Sequence, residues 1–199
     1  MKKLQIYNLS DFIQKRGENA VQTLLSTFQC PLNPSIEHFL HHNAINFSKQ
    51  GIAITYLVFL ETNDNSRLVG YFSLASKIIH FDKSQISNRV QRLVNKFGEY
   101  NQSTNTYSIS APLIAQFGKN FAYNQNQLVT GSELLELALS QVKYIQSLIG
   151  GRAIYLECDN NPKLLNFYQS NGYTIFGTRT PLNAITPEHC LYQLVKFTK

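Results

Sequence analysis

Two periodicities divide the chain. Apolar residues alternate in KLQIYNL, which predicts a first strand, and SDFIQKR follows as a helix capped by Ser10 or Asp11. Ser35 then precedes a helix with Ile36, Phe39, Leu40, Ile45 and Phe47 on its inner face, stopped at Gly51. IAITYLVFLE and RLVGYFSLASKII are β-branched and aromatic runs joined by the turn formers TNDNS, so they predict a hairpin. From Ser84 to Phe97 the period becomes helical, with Ile86, Val90, Leu93, Val94 and Phe97 on one side and Arg89, Arg92 and Lys96 on the other. With the polar tract that follows, this reads as a helical insertion around residues 84–106. YSISAPLIAQFGKNF is a strand interrupted or bent near Pro112. After Gly131, the positions Leu134, Leu135, Ala138, Val142, Ile145 and Ile149 keep helical spacing until Gly150 and Gly151. Strand RAIYLEC, a short helix from Pro162 to Gly172, and strands YTIFGTR and LYQLVKF complete the chain. The pattern predicts one α/β domain over residues 1–199, built on a mixed sheet.

Composition narrows this picture. A chain of 199 residues with 43% hydrophobic positions can bury one sizeable core, which excludes a disordered chain. The net charge of +6 favours acidic partners such as phosphates or RNA. MKKLQIYNLSDF turns polar too early for a signal-peptide core, and no apolar run approaches membrane length, so a cytosolic protein without a membrane partner is expected. Cys30, Cys158 and Cys190 are odd in number and lack C-x-x-C spacing, which suits reduced thiols rather than disulfides or zinc. His38, His41 and His42 have a spacing that presents two imidazoles together, but no Cys or carboxylate cluster accompanies them, so a packing or solvated role is preferred and no metal is expected. Cys158 beside Asp159 lacks a paired histidine and reads as inert. Lys83, Arg89, Arg92 and Lys96 form either a solvated face or a contact for RNA phosphates.

The stretch NQLVTGSELL carries candidate chemistry. Thr130 and Glu133 make a capping box, in which the hydroxyl accepts the amide of residue 133 and the carboxylate reaches back. The remaining amides at the helix start, those of Gly131 and Ser132, stand at the positive end of a helix dipole, a ready place for an anion. On these residues alone a well-capped helix and a phosphate loop both fit.

The order of a strand ending in LIAQFGKN, this loop, a long helix, a strand and then NPKLLNFYQSNGY resembles the GNAT superfamily of acetyl-CoA-dependent N-acetyltransferases. The resemblance covers nearly the whole chain and implies that fold, a central mixed and mostly antiparallel sheet flanked by helices. In that family the loop carries Gln/Arg-x-x-Gly-x-Gly/Ala, and its backbone amides hold the coenzyme pyrophosphate. Here the corresponding positions are Asn126, Val129 and Gly131, of which only Gly131 matches; Thr130 and Ser132 belong to the same cradle. Asn161, Tyr168, Gly172 and Tyr173 match the family's Asn-x6-Tyr-x3-Gly-aromatic motif. The resemblance makes Tyr168 the general acid that protonates the departing thiolate and Asn161 a partner of the pantetheine arm. A phenol, with a pKa of about 10, keeps its proton at neutral pH and can give it to a thiolate.

The segment from FQCPLNPSIEHFL to RLVGYFSLAS resembles the front half of the GNAT toxins of toxin–antitoxin pairs, with their Phe-x-Cys start and Val-Gly-Tyr-x-x-Leu-Ala strand. That branch implies a primary amine as acceptor, the amino group of aminoacyl-tRNA, together with an antitoxin partner and often a homodimer. PLIAQFGKN matches the toxins' next strand in spacing, with Gln116 where they carry arginine. The family's use of this strand makes Phe117 and Gly118 the backbone that pairs with pantetheine. Asn126 and Val129 keep a second reading open, a non-catalytic binding protein of the same fold.

Overall fold

The computed structural model describes residues 3–63, 65–181 and 190–198. Eight strands follow the order β1-β2-β3-β5-β6-β8-β7, with β4 added against β5. They are β1 (Lys3–Asn8), β2 (Ile54–Glu61), β3 (Ser66–Asp82), β4 (Glu99–Asn101), β5 (Thr106–Lys119), β6 (Ala153–Asp159), β7 (Thr174–Arg179) and β8 (Leu191–Phe197). β5 and β6 run parallel, at Leu113–Tyr155 and Ile114–Leu156, whereas β1–β2, β2–β3, β4–β5, β6–β8 and β7–β8 are antiparallel. The sheet is therefore mixed, as the pattern predicts, and mostly antiparallel, as the resemblance implies. The chain groups into two compact units: Met1–Ala75 with Ala115–Gln141, and Ser76–Ile114 with Val142–Lys199.

The first unit holds α1 (Leu9–Arg16), α2 (Glu18–Leu25), α3 (Pro34–His38), α4 (Ala44–Lys49), the hairpin β2–β3 and the start of α6 (Gly131–Ile149). Its core gathers Leu9, Val21, Leu25, Phe28, Leu40, Leu57 and Tyr71, with Phe28 edge-on to Tyr71 at 5.2 Å. The fully buried Tyr71 donates its phenol proton to the Ile36 carbonyl at 2.6 Å, which satisfies the only polar atom of the ring. The N-caps differ from those expected. Asn8, not Ser10 or Asp11, caps α1, and Asn33, not Ser35, caps the next helix; each Asn side chain accepts the amide two residues on. The single helix expected before Gly51 is broken by a π turn at Phe39–Asn43, which shifts the face presented by α4. α2 has no expectation behind it in the sequence: it places Val21 and Leu25 inward, one turn apart, too short a pattern to stand out.

The second unit packs α5 (Asn88–Phe97) over Ile79, Phe81, Tyr107, Ile109, Tyr155, Phe176 and Val195. Ile86, Val90 and Val94 face inward as the period predicts, but Phe97 is exposed because the helix ends there and Gly98 turns extended. The tract GEYNQSTNT is not a plain linker: Glu99–Asn101 pairs with Thr106–Ser108 as a short hairpin. β5 runs unbroken through Pro112. Helix α6 covers Gly131–Ile149, yet Ile149 is 78% exposed, since the apolar period outlasts the core it serves. α7 (Pro162–Ser170) follows β6 and stops at Gly172, whose φ of 83° suits glycine. Among the described residues no helix is long and apolar enough to cross a membrane.

Candidate functional site

Several expected residues fall in the first unit, on the end of β5 and the loop after it. Gly118 is buried where two strands approach closely: a Cβ on Gly70 of β3 would lie 2.9 Å from the Gly118 carbonyl oxygen, and a Cβ on Gly118 would lie 2.5 Å from Ile36 Cγ2. Phe117 beside it is half-buried. Past the strand, Asn120 is a hub that the sequence did not announce. Only 1% exposed, its carbonyl accepts the amides of Gln29 (3.1 Å) and Ala122 (3.0 Å), while its amide donates to Leu68 O (2.8 Å) and Gln125 Oε1 (3.1 Å). Every polar position of this buried side chain is used, so the loop start is locked to β3 and to the segment after α2.

The loop then turns through a short 3₁₀ element, Ala122–Gln127, in which Tyr123 and Asn124 both adopt left-handed backbone (φ 51° and 60°). Such a conformation costs an ordinary residue about 1–2 kcal/mol, and Asn tolerates it better than Tyr. Lys119 Nζ donates to the Asn126 carbonyl at 2.9 Å and closes the loop. Val129 is 1% exposed and does not take positive φ, so its side chain belongs to the core. The capping box forms in both directions: Glu133 N donates to Thr130 Oγ1 (3.1 Å), and Thr130 N and Oγ1 donate to Glu133 Oε2 (2.8 and 2.9 Å). Two helix-start amides are thus engaged inside the box, and those of Gly131 and Ser132 are the donors an anion can use. The Glu133 carboxylate next to them opposes a negative ligand.

The other expected residues lie in the second unit. Asn161 caps α7, its carbonyl accepting Lys163 N at 2.9 Å, so its amide group keeps the donors. Tyr168 is 8% exposed on that helix, its ring 5.1 Å from Phe167 and 5.8 Å from Tyr173. Burial raises the Tyr168 phenol well above its ordinary value, with a smaller push from the neighbouring Cys158. Burial also pushes the Cys158 thiol up to about 11, aided by Asp159, so that thiol stays protonated and is no nucleophile. Tyr173 Oη is buried without a hydrogen-bond partner among the described residues.

The second unit also holds a polar network that sequence reading passed over. Arg179 grips the Glu157 carboxylate with two N–H donors, Tyr155 donates to the same carboxylate, and Gln193 donates to Tyr155 Oη at 2.8 Å. Burial alone would raise the Glu157 carboxyl, but the bonds from Arg179 and Tyr155 outweigh it and hold the group below its usual range. A glutamate within the apolar strand AIYLECD was the available signal, because a half-buried carboxylate requires a cation. His41 Nε2 bonds the Phe28 carbonyl at 2.9 Å, and no group of three or more metal-ligating side chains occurs among the described residues.

The arrangement of strands and helices can be set against known structures. AtaT complexed with acetyl-methionyl-tRNAfMet aligns with a TM-score of 0.63 at 17% identity, covering 96% of this chain and 94% of that one. A point mutant of KacT aligns at 0.63 and 15% identity, covering 96% and 95%. An AtaT mutant toxin bound to the C-terminus of the antitoxin AtaR and acetyl-CoA aligns at 0.57 and 16% identity, covering 95% and 91%. The chain has the GNAT fold. No family model matches the sequence, and no curated protein matches it.

Proposed function

We propose that the protein is an N-acetyltransferase that moves the acetyl group of acetyl-CoA to a primary amine, with the amino group of aminoacyl-tRNA as the acceptor. The observation that carries this reading is the alignment over 96% of the chain with AtaT complexed with acetyl-methionyl-tRNAfMet. The net charge of +6 agrees with a nucleic-acid substrate. The residues also fit the coenzyme: Val129 turns its side chain into the core rather than toward a ligand, and the amides of Gly131 and Ser132 remain available to its pyrophosphate.

In this reading the loop from Asn126 to Ser132 binds the pyrophosphate, the backbone of Phe117 and Gly118 pairs with pantetheine, and Asn161 donates to the same arm. The amine nitrogen attacks the thioester carbonyl carbon, the C–S bond breaks, and Tyr168 gives its proton to the sulfur. The proton lost by the amine passes to solvent, from which Tyr168 is recharged. A phenol keeps its proton at neutral pH, the state a general acid needs, while the burial around Tyr168 makes it a weaker donor than a free phenol. The two units serve one catalytic domain, with residues 84–106 as its insertion, and an antitoxin, a second copy of the chain and a cytoplasmic setting complete the proposal.

Tyr168→Phe tests the chemistry. Turnover is expected to fall about 10²–10⁴-fold with acetyl-CoA affinity unchanged, and undiminished turnover would remove Tyr168 from its role. A panel of charged tRNAs tests the acceptor: activity on a peptide or polyamine, and on none of the tRNAs, would overturn it. The Glu133 carboxylate beside the cradle favours the second reading, a non-catalytic protein of this fold; calorimetric titration with acetyl-CoA decides between them.

A further inference from the structure

A cleft of about 490 Å³ opens in the first unit, and none of its lining residues is among those placed above in coenzyme binding or catalysis. Leu24, Thr27, Arg67, Leu68, Tyr123 and Gln125 line it. Its volume lies within the range of small-molecule sites. Three features of its wall belong together. Tyr123 is 88% exposed, an unusual position for a tyrosine ring. The ring is carried by two consecutive left-handed residues, Tyr123 and Asn124, a strained conformation that persists only because its surroundings fix it. Asn120 supplies that fixing: one side chain binds Ala122 N, Gln125 Oε1 and Leu68 O, thereby tying both ends of the turn to β3. On the β3 side of the cleft stands Arg67, exposed and without an ion-pair partner among the described residues.

We propose that this cleft binds a nucleoside phosphate, with the base stacked on the Tyr123 ring and the phosphate held by Arg67. An exposed aromatic face on a fixed backbone takes any flat base, and a guanidinium matches a phosphate with paired N–H donors. Gln125 accepts from Asn120 through Oε1, which leaves its Nε2 as a donor for a base edge. Leu24, partly exposed at the cleft wall, gives the base an apolar edge. A simple carboxylate ligand would use Arg67 but leave the exposed ring without purpose. The same chemistry is offered by two sources, a nucleotide of a single-stranded RNA and the 3′-phosphorylated adenosine end of coenzyme A. The inference stands whether or not the acetyl-transfer reading holds.

The test is titration of the full chain with adenosine monophosphate, followed by calorimetry and by tyrosine fluorescence, then with a short oligoadenylate and with coenzyme A against its dephospho form. Binding of the monophosphate is expected, weakened at least tenfold in Tyr123→Ala and in Arg67→Ala, restored in Tyr123→Trp, and weakened by salt through Arg67. Displacement by oligoadenylate at lower concentration than the mononucleotide assigns the site to RNA. Displacement by coenzyme A, and less well by its dephospho form, assigns it to the coenzyme. No binding at millimolar nucleotide, or equal binding by both alanine variants with wild-type melting curves, would overturn the proposal. Failure of acetyl transfer alone would leave these titrations unaffected, so the two readings are separable.

Discussion

Replacing Gly70 by alanine should strain the first unit at a specific close approach of two strands. The added Cβ would stand 2.9 Å from the Gly118 carbonyl oxygen and 3.1 and 3.3 Å from the two Leu134 methyls. Leu134 is fully buried and cannot swing aside, and the Gly118 oxygen belongs to the backbone of β5, so relief requires the two strands to part by several tenths of an ångström. Overpacking of this kind costs about 1–3 kcal/mol. For a chain of this size each kcal/mol lowers Tm by roughly 2–4 °C, so a drop of about 2–12 °C is expected. Thermal unfolding followed by circular dichroism reads it directly, with urea unfolding to check that the m-value stays constant. Acetyl-CoA titration supplies a second readout, since displacement of Gly118 would also weaken the backbone pairing proposed for pantetheine. A Gly70→Ala protein with wild-type Tm would refute the argument that glycine is there for the close approach of β3 and β5.

Three further outcomes are expected. Thr130→Ala removes the hydroxyl half of the capping box and should cost about 1 kcal/mol, seen as a fall in Tm of about 2–4 °C; no change would mean the box does not stabilise α6. Tyr173→Phe removes a buried hydroxyl that has no partner among the described residues, so about 1 kcal/mol of stability should be gained, and a lower Tm would show that the hydroxyl is satisfied in solution. The Glu157–Arg179 pair should make stability acid-sensitive. The Glu157 carboxyl lies below its unfolded value, so its contribution is complete above about pH 5 and is lost as pH falls through the folded value. Arg179→Ala should flatten or reverse that acid loss because burial then dominates, with a cost near 1 kcal/mol at neutral pH given that Arg179 is partly exposed and screened. Melting curves between pH 3 and 6 with equal slopes in the two proteins would contradict this.

What the sequence discloses and what it hides follow a physical division. Periodic burial is legible: Leu134, Leu135, Ala138 and Val142 repeat at helical spacing and are all buried. The period gives no sign of where a core ends, which is why Phe97 and Ile149 follow it into solvent. Caps are legible as chemistry but not as position. Asn8 and Asn33 outcompete the nearby Ser10, Asp11 and Ser35, because an Asn side chain reaches the amide two residues on before the helix has begun. Polar hubs are the least legible, since Asn120 joins residues 52 and 91 positions away in the chain through hydrogen bonds that leave no local pattern.

The loop before α6 shows how these limits meet at the candidate site. As sequence, NQLVTGSELL presents Val129 where the resembling family carries glycine, which reads as damage to a phosphate cradle. In the structure position 129 is a core position with ordinary backbone, and the left-handed residues stand earlier, at Tyr123 and Asn124. Valine is therefore suited to its place, and the left-handed pair earlier in the loop is tied down by Asn120. The balance at this site then rests on two opposed terms within one helical turn: the donors of Gly131 and Ser132 attract an anion, and the Glu133 carboxylate, fixed by Thr130, repels it. In the proposed reading, that pair of terms, rather than the missing glycine, is what a coenzyme titration would weigh.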